Sequence, residues 1–323
     1  MNYSKKDARL AAKEQFKGVW TAITTPFTPG LEIDEEGLKN NVRYVANTIG
    51  VKGIFCTGIM GEFWSLTNEE RMRVIQIVVE EAKKYNVLTI AHTGDICAKD
   101  TIEMTRFAEE IGADFSVFIA PYFVTPNDQM TMEFFEYVSK EINIGYWIFD
   151  TPYTGRPLSA EFYKELEKKA VNFCGIKINR GMEQYLKLKE EIGKTILLSN
   201  PAEPTLLDLI LNHGQQVYMS SPAPFLYQNA NSHHMMEYAR LAWEGKKAEA
   251  KVEYEKLTPM RNIHNKWIGK TWSEKNLLAV QYIKYWSELL GMAGGPVRPP
   301  YINMDENEKH ALKLDLQSIG LIE

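Results

Sequence analysis

The chain has 323 residues, a net charge of −5 from 37 basic and 42 acidic side chains, and 45% hydrophobic residues. That length suits two ordinary domains, or one α/β barrel of about 250 residues with additions. The acidic balance removes the electrostatic basis for binding nucleic acid or an anionic membrane. The three scattered cysteines (Cys56, Cys97, Cys174) exclude a disulfide framework or a CxxC zinc site. Apolar runs such as Phe115 to Val124 reach about half the roughly 20 residues of a bilayer span. The N-terminal stretch MNYSKKDARLAAKEQF is polar and helix-prone with no apolar signal core, so the expected location is the cytoplasm.

No Ser/Gly/Pro-rich or like-charged linker divides the rest. Instead, short β-rich runs alternate with longer amphipathic ones. The predicted strands are Gly18–Thr25, Gly53–Gly58, Val87–Thr93, Phe115–Pro121, Gly145–Thr151, Cys174–Asn179, Thr195–Asn200 and Gln216–Ser221. They are apolar nearly throughout, as strands covered on both faces are. Thr67-Asn-Glu-Glu70 is a capping box that opens a helix over Glu69–Tyr85. Asp100 is placed to cap Thr101–Ile111, and Ser159 to cap Ala160–Lys169. Pro204 opens Thr205–Asn212 ahead of Gly214. Three further helices are predicted over Glu237–Lys256, Ser273–Gly291 and Asn307–Leu316.

Eight strand–helix repeats without a GxGxxG fingerprint or a P-loop predict an α/β fold, a (β/α)8 TIM barrel. The expected organisation is an N-terminal helical extension over 1–17, the barrel over 18–232, and a C-terminal helical cap over 233–323. Reactive groups in such a barrel sit at the C-terminal strand ends. Those ends carry Thr24 and Thr25, Thr57 and Gly58, His92 and Thr93, Tyr122 and Phe123, Phe149 and Asp150, Lys177, Asn200 and Glu203, and Ser220 and Ser221.

Lys177 lies in the otherwise apolar run Cys174-Gly-Ile-Lys-Ile178. A lysine desolvated in a barrel mouth has a lowered pKa and offers the neutral amine that attacks a carbonyl. The competing reading is an ion-paired lysine at a strand end. No metal site is expected, because His233 and His234 are adjacent and lack an HExxH pattern or carboxylate partner.

Six motifs fall in order along the barrel: Thr24-Thr-Pro-Phe27; Gly58-Ile-Met-Gly-Glu62 followed by Ser65-Leu-Thr-Asn-Glu-Glu70; Ala113-Asp114 leading to Pro121-Tyr122; Phe149-Asp-Thr-Pro152; Gly175-Ile-Lys177; and Gly295-Pro-Val-Arg-Pro-Pro300. Together they resemble the dihydrodipicolinate synthase / N-acetylneuraminate lyase family of pyruvate-type class I aldolases, from about Gly18 to Pro300. The resemblance implies a Schiff base on Lys177 with a 2-oxo acid, no separate cofactor, and that acid and an aldehyde as small-molecule partners. It also implies a homotetramer. The Gly58–Gly61 turn matches the loop that binds the substrate carboxylate, for which the backbone N–H groups of Ile59 and Met60 suffice.

The departures from the family pattern fall at this site. Ile59 and Met60 stand where hydroxyl residues are usual, and Phe149 where a tyrosine opens the segment. Phe123 replaces the second tyrosine of the synthase branch, at the place of the aromatic that reaches a neighbouring subunit's site. The ordinary dihydrodipicolinate synthase reaction is therefore not expected. Arg156 and Arg180 lie near, but not in register with, the basic residue that follows that segment. His92, where the family has glycine, is either a general acid/base or a hydrogen-bonded structural residue. Tyr218 either presents its phenol to the mouth or packs outward. Tyr122 and Tyr153 are further candidates, with Tyr153 counted among the substrate contacts, and the substrate carboxylate itself is another proton carrier.

A greasy pocket of Ile59, Met60, Phe123 and Phe149, with Trp64, disfavours polyhydroxylated ligands and suits an apolar or aromatic aldehyde, as in the hydratase–aldolase branch. Trp147 reads as barrel filler, Glu62 as hydrogen-bonded to backbone, and Asp150 as a brace. Trp267, Trp272 and Trp286 read as packing of the cap or of a subunit interface. The alternative to an enzyme is a degenerate barrel that binds or senses a 2-oxo acid.

Overall fold

The computed structural model describes residues 2–123, 126–275 and 277–323. Eight parallel strands form one sheet: Gly18–Ala22 (β1), Gly53–Cys56 (β2), Leu88–His92 (β3), Phe115–Phe118 (β4), Tyr146–Asp150 (β5), Phe173–Ile178 (β6), Leu197–Ser199 (β7) and Val217–Ser221 (β8). Their order is β7-β6-β5-β4-β3-β2-β1-β8. The seam between β7 and β8 is bridged by a side chain. Ser199 Oγ donates to Val217 O at 3.0 Å and accepts from Met219 N at 2.8 Å. With helices between successive strands, the molecule is a TIM barrel with C-terminal helices.

The helices are Ala8–Gln15 (α1), Glu35–Arg43 (α2), Asn68–Lys83 (α3), Ala98–Glu110 (α4), Asp128–Glu141 (α5), Ala160–Lys169 (α6), Met182–Ile192 (α7) and Leu206–His213 (α8). After β8 come Ala223–Leu226 (α9), His234–Trp243 (α10), Lys247–Glu255 (α11), Thr258–His264 (α12), Lys270–Lys275 (α13), Val280–Leu289 (α14) and Glu306–Ser318 (α15). Among the described residues, no helix is long and apolar enough to cross a membrane.

The local signals act largely as read. Thr67 and Glu70 form both bonds of the capping box, Ser159 Oγ accepts from Phe162 N at 3.1 Å, and Gly214 ends α8 in the left-handed region. Three expectations need correction. Helix α4 starts before Asp100, with Cys97 at its N-cap, so Asp100 sits in the first turn, where its charge complements the helix dipole. The run Glu237–Lys256 is two helices, because Gly245 takes φ +79° between them. The run Ser273–Gly291 is also interrupted, because Leu278 N donates to the Tyr301 hydroxyl at 3.2 Å rather than to a helical carbonyl; its residue Asn276 lies outside the described residues.

Strand alternation sorts the core into two compartments. Ile54, Cys56, Ile148, Ile176 and Tyr218 face the helices. Trp20, Phe55, Ile90, Phe115, Trp147, Phe149 and Cys174 fill the barrel. Phe16, just beyond α1, plugs the bottom, with its ring 4.3 Å from Trp20 and 4.5 Å from Trp147. Two glycines make room for the indoles. A Cβ on Gly53 would lie 2.2 Å from Trp20, and one on Gly175 would lie 2.6 Å from Trp147. Gly175→Ala is expected to destabilise the fold by about 1–3 kcal/mol through overpacking. Urea unfolding checks this, and an unchanged midpoint would contradict the close approach.

Candidate active site

Gly175 pairs with Trp147 across β5 and β6, and two residues further up Lys177 pairs with Phe149. The lysine therefore stands directly above the indole layer, on the inner face of the barrel. Its residue surface is 4% exposed. Its Nζ lies 4.2 Å from the Phe149 ring centroid and 4.6 Å from that of Phe55. Burial lowers its pKa from 10.5 to about 7, with no charged partner contributing. The ring faces favour the ammonium by about 0.5–2 kcal/mol, less than the several kcal/mol that burying an unpaired ion costs. The amine is thus about half neutral at pH 7, on the order of a thousandfold more than an ordinary lysine. The ion-paired reading of this lysine has no support in the geometry.

Lys177 opens onto a cavity of about 150 Å³. Ala22, Phe55, Ile59, Met60, Phe149 and Tyr153 supply one part of its wall, and Asn179, Pro201, Ala202, Ser220, Ser221 and Pro222 the other. Ile59, Met60, Phe149 and Tyr153 thus come together around the amine. Phe123 does not: it is 74% exposed in the loop after β4. Trp147 is buried filler below. Trp64 is not a lining residue; its Nε1 donates to Ile59 O at 3.3 Å and braces the turn. Within that turn the N–H groups of Gly61, Glu62 and Phe63 bond back to Gly58 or Ile59 carbonyls. Those of Ile59 and Met60 donate to no partner among the described residues.

Two of the expected proton carriers, Tyr218 and His92, lie outside the cavity wall. Tyr218 packs outward, and its hydroxyl donates to Pro201 O at 2.8 Å and meets Ser221 Oγ at 2.6 Å. Its side chain is committed to bracing the β7 and β8 loops. His92 is buried against Phe63, and Arg71 Nη2 lies 3.4 Å from its Nδ1. Burial, together with Arg71, holds this imidazole well below its usual pKa. Its Nε2 has no partner among the described residues, and it does not line the cavity. Tyr153 remains at the mouth, its phenol pushed up to about 12 by burial.

Asp150 does brace: it pairs with Arg180 and accepts from Tyr163 at 3.2 Å. Arg180 also donates to Thr151, Gly155 and Arg156 carbonyls, and Arg156 pairs with Asp128. Neither arginine faces the cavity. Glu62 corrects its expected backbone partner: its carboxylate meets Lys284 Nζ at 2.6 Å, because a fully buried carboxylate requires a counter-charge. Burial raises the Glu62 pKa and lowers that of Lys284. Glu203, in the loop beside Pro201 and Ala202, is held in the same way by Arg261 at 2.8 Å and Tyr238 at 2.8 Å. Arg298 forks onto Glu70 and the Leu31 carbonyl. Trp272, expected in the packing of the cap or of a subunit interface, sets its ring 4.7 Å from Tyr153 at 71° and is 37% exposed.

Sequence reading placed Ser220 and Ser221 at a strand end but missed Phe55, Lys284 and the Pro201, Ala202 and Pro222 part of the wall, and it did not foresee the contact of Trp272 with Tyr153. Lys284 left a signal: it falls on the same helical face as Val280, Ile283 and Ser287, where an apolar residue is usual.

A family model described as "Dihydrodipicolinate synthetase family" matches residues 15–319. The 4-hydroxy-tetrahydrodipicolinate synthase of Methanocaldococcus jannaschii is 29% identical, covering 95% of this chain and 100% of its own. That of Methanopyrus kandleri is 30% identical, covering 95% and 98%. A crystal structure of a dihydrodipicolinate synthase superposes with a TM-score of 0.80 at 28% identity, covering 95% and 100%. The chain belongs to the dihydrodipicolinate synthetase family.

The isolated amine makes a prediction independent of substrate. Trace labelling with acetic anhydride across pH 5–11 is expected to titrate Lys177 near pH 7. A Lys177 midpoint near 10.5 would refute the desolvated amine.

Proposed function

We propose that the protein is a Schiff-base aldolase or lyase for a 2-oxo acid, with Lys177 as the nucleophile. The observation that carries this is the unpaired, desolvated amine facing a small cavity. The neutral amine adds to the ketone carbon, and the carbinolamine loses water to give an iminium. The iminium acidifies the adjacent C–H bond; loss of that proton gives an enamine whose carbon adds to an aldehyde, and in the reverse direction the iminium takes up the electron pair of the breaking carbon–carbon bond as the aldehyde leaves. The Ile59 and Met60 amides receive the substrate carboxylate. That carboxylate and water carry the protons, because Tyr218 and His92 are engaged elsewhere.

The relatives named above are 4-hydroxy-tetrahydrodipicolinate synthases. Our reading departs from that activity at Ile59, Met60, Phe149 and Phe123, where hydroxyl groups of the relay are replaced by apolar side chains. Buried apolar walls leave the hydroxyls of a sugar unpaired and accept an apolar or aromatic aldehyde. Tyr153 and Trp272 supply a ledge for a flat ring at the mouth. The same loss of hydroxyls favours a second reading, a barrel that binds the 2-oxo acid without turnover. A homotetramer is the assembly proposed from the family.

Pyruvate with borohydride is expected to add one reduced adduct at Lys177, read by peptide mass. No adduct with pyruvate or a panel of 2-oxo acids would sink the reading, whereas an adduct without product across an aldehyde panel would select the binding protein. Trp272→Ala is expected to lower kcat/KM for aromatic aldehydes by about tenfold, as loss of a stacking partner does, with pyruvate trapping retained. An equal loss for aliphatic aldehydes would remove the ledge from the account.

A further inference from the structure

The loop after β2 is held from behind by the C-terminal cap. Lys284, on α14, is 0% exposed and its ammonium reaches three separate segments. It bonds the Glu62 carboxylate at 2.6 Å, donates to Pro296 O at 2.8 Å, and lies 4.0 Å from the Phe27 ring centroid. Glu62 is itself in the left-handed region at φ +55°. A non-glycine residue stays there only when its surroundings over-determine it. A second tie runs from Thr25 Oγ1 to Gly61 O at 2.9 Å.

The backbone of Glu62 continues the connection. Its N–H donates to Ile59 O at 3.3 Å, and Trp64 Nε1 donates to the same oxygen at 3.3 Å. That oxygen belongs to the peptide joining Ile59 and Met60. In a trans peptide the C=O and N–H point in opposite directions. Fixing the carbonyl on Glu62 and Trp64 therefore aims the Met60 N–H away from them, without a partner among the described residues and on a cavity-lining residue.

We propose that Lys284 is a positioning residue for the 2-oxo acid: by pinning Glu62 it orients the Ile59–Met60 peptide whose N–H receives the substrate carboxylate. This rests on the Schiff-base reading above. Lys284 touches no substrate and changes neither the nucleophile nor its surroundings. Its removal weakens capture of the acid rather than the chemistry on Lys177.

The test uses the full chain and measures borohydride trapping of pyruvate at Lys177 as a function of pyruvate concentration. Two variants are compared, Lys284→Met and the double variant Glu62→Leu with Lys284→Met. Breaking one side of a buried pair is expected to lower Tm by roughly 5–10 °C. Replacing both charges with apolar groups is expected to restore most of that loss. Both variants are expected to raise the half-saturating pyruvate concentration by about 10–100-fold, as loss of a hydrogen bond to a charged group does. The saturating rate stays within about threefold of wild type, the split expected for lost binding. A double variant with restored Tm and wild-type half-saturation would overturn the proposal, because the pair would then be merely structural. So would a loss confined to the saturating rate. If the wild type forms no adduct with pyruvate or any acid of the 2-oxo acid panel, the Schiff-base reading falls and takes this inference with it; if both variants trap pyruvate as the wild type does, this inference falls and the Schiff-base reading stands alone.

Discussion

A primary amine buried without a counter-charge is the constraint on which the rest of this molecule depends. Water would stabilise the ammonium, and a carboxylate would hold it protonated. Both must be kept from Lys177 for the neutral form to persist near pH 7. The surroundings meet that need in layers. Phe55 and Phe149 cover the amine, Trp20 and Trp147 fill the barrel below, and Phe16 closes the bottom. The indoles fit only because Gly53 and Gly175 lack side chains.

The other buried and half-buried cations of the barrel and cap show what Lys177 forgoes. Arg71 pairs with Asp95, Arg180 with Asp150, Arg261 with Glu203 and Lys284 with Glu62. Each joins a strand-end loop to another element, and two of them join the loops of the cavity to the C-terminal helices. Paired cations hold the mouth in shape, whereas the unpaired one is free for chemistry. The division follows from electrostatics: a charge inside a protein is either compensated or given up.

The apolar side chains at Ile59, Met60 and Phe149 serve the same end. They extend the dry wall up to the mouth. The backbone N–H groups of Ile59 and Met60 have no partner among the described residues, and the peptide between them is held by Glu62 and Trp64. The cap reaches that turn through Lys284, although none of its helices carries Lys177.

Much of this was legible in the sequence, because periodicity and punctuation are local. The eight strands, the Thr67–Glu70 box and the apolar run around Lys177 follow from residues near one another in the chain. So does the placement of Ile59, Met60, Phe149 and Tyr153 at strand ends. What the sequence left open depended on direction and on distant partners. Tyr218 turned outward and His92 lay beneath Phe63, since a residue at a strand end faces either compartment until the barrel closes. Glu62 found Lys284 and Tyr153 found Trp272 across more than 100 residues of chain. The sequence alone determined the barrel, the family and the apolar strand that carries Lys177. The tertiary structure decided which groups share the cavity and which brace it, because only packing brings such distant charges and rings within reach of one another.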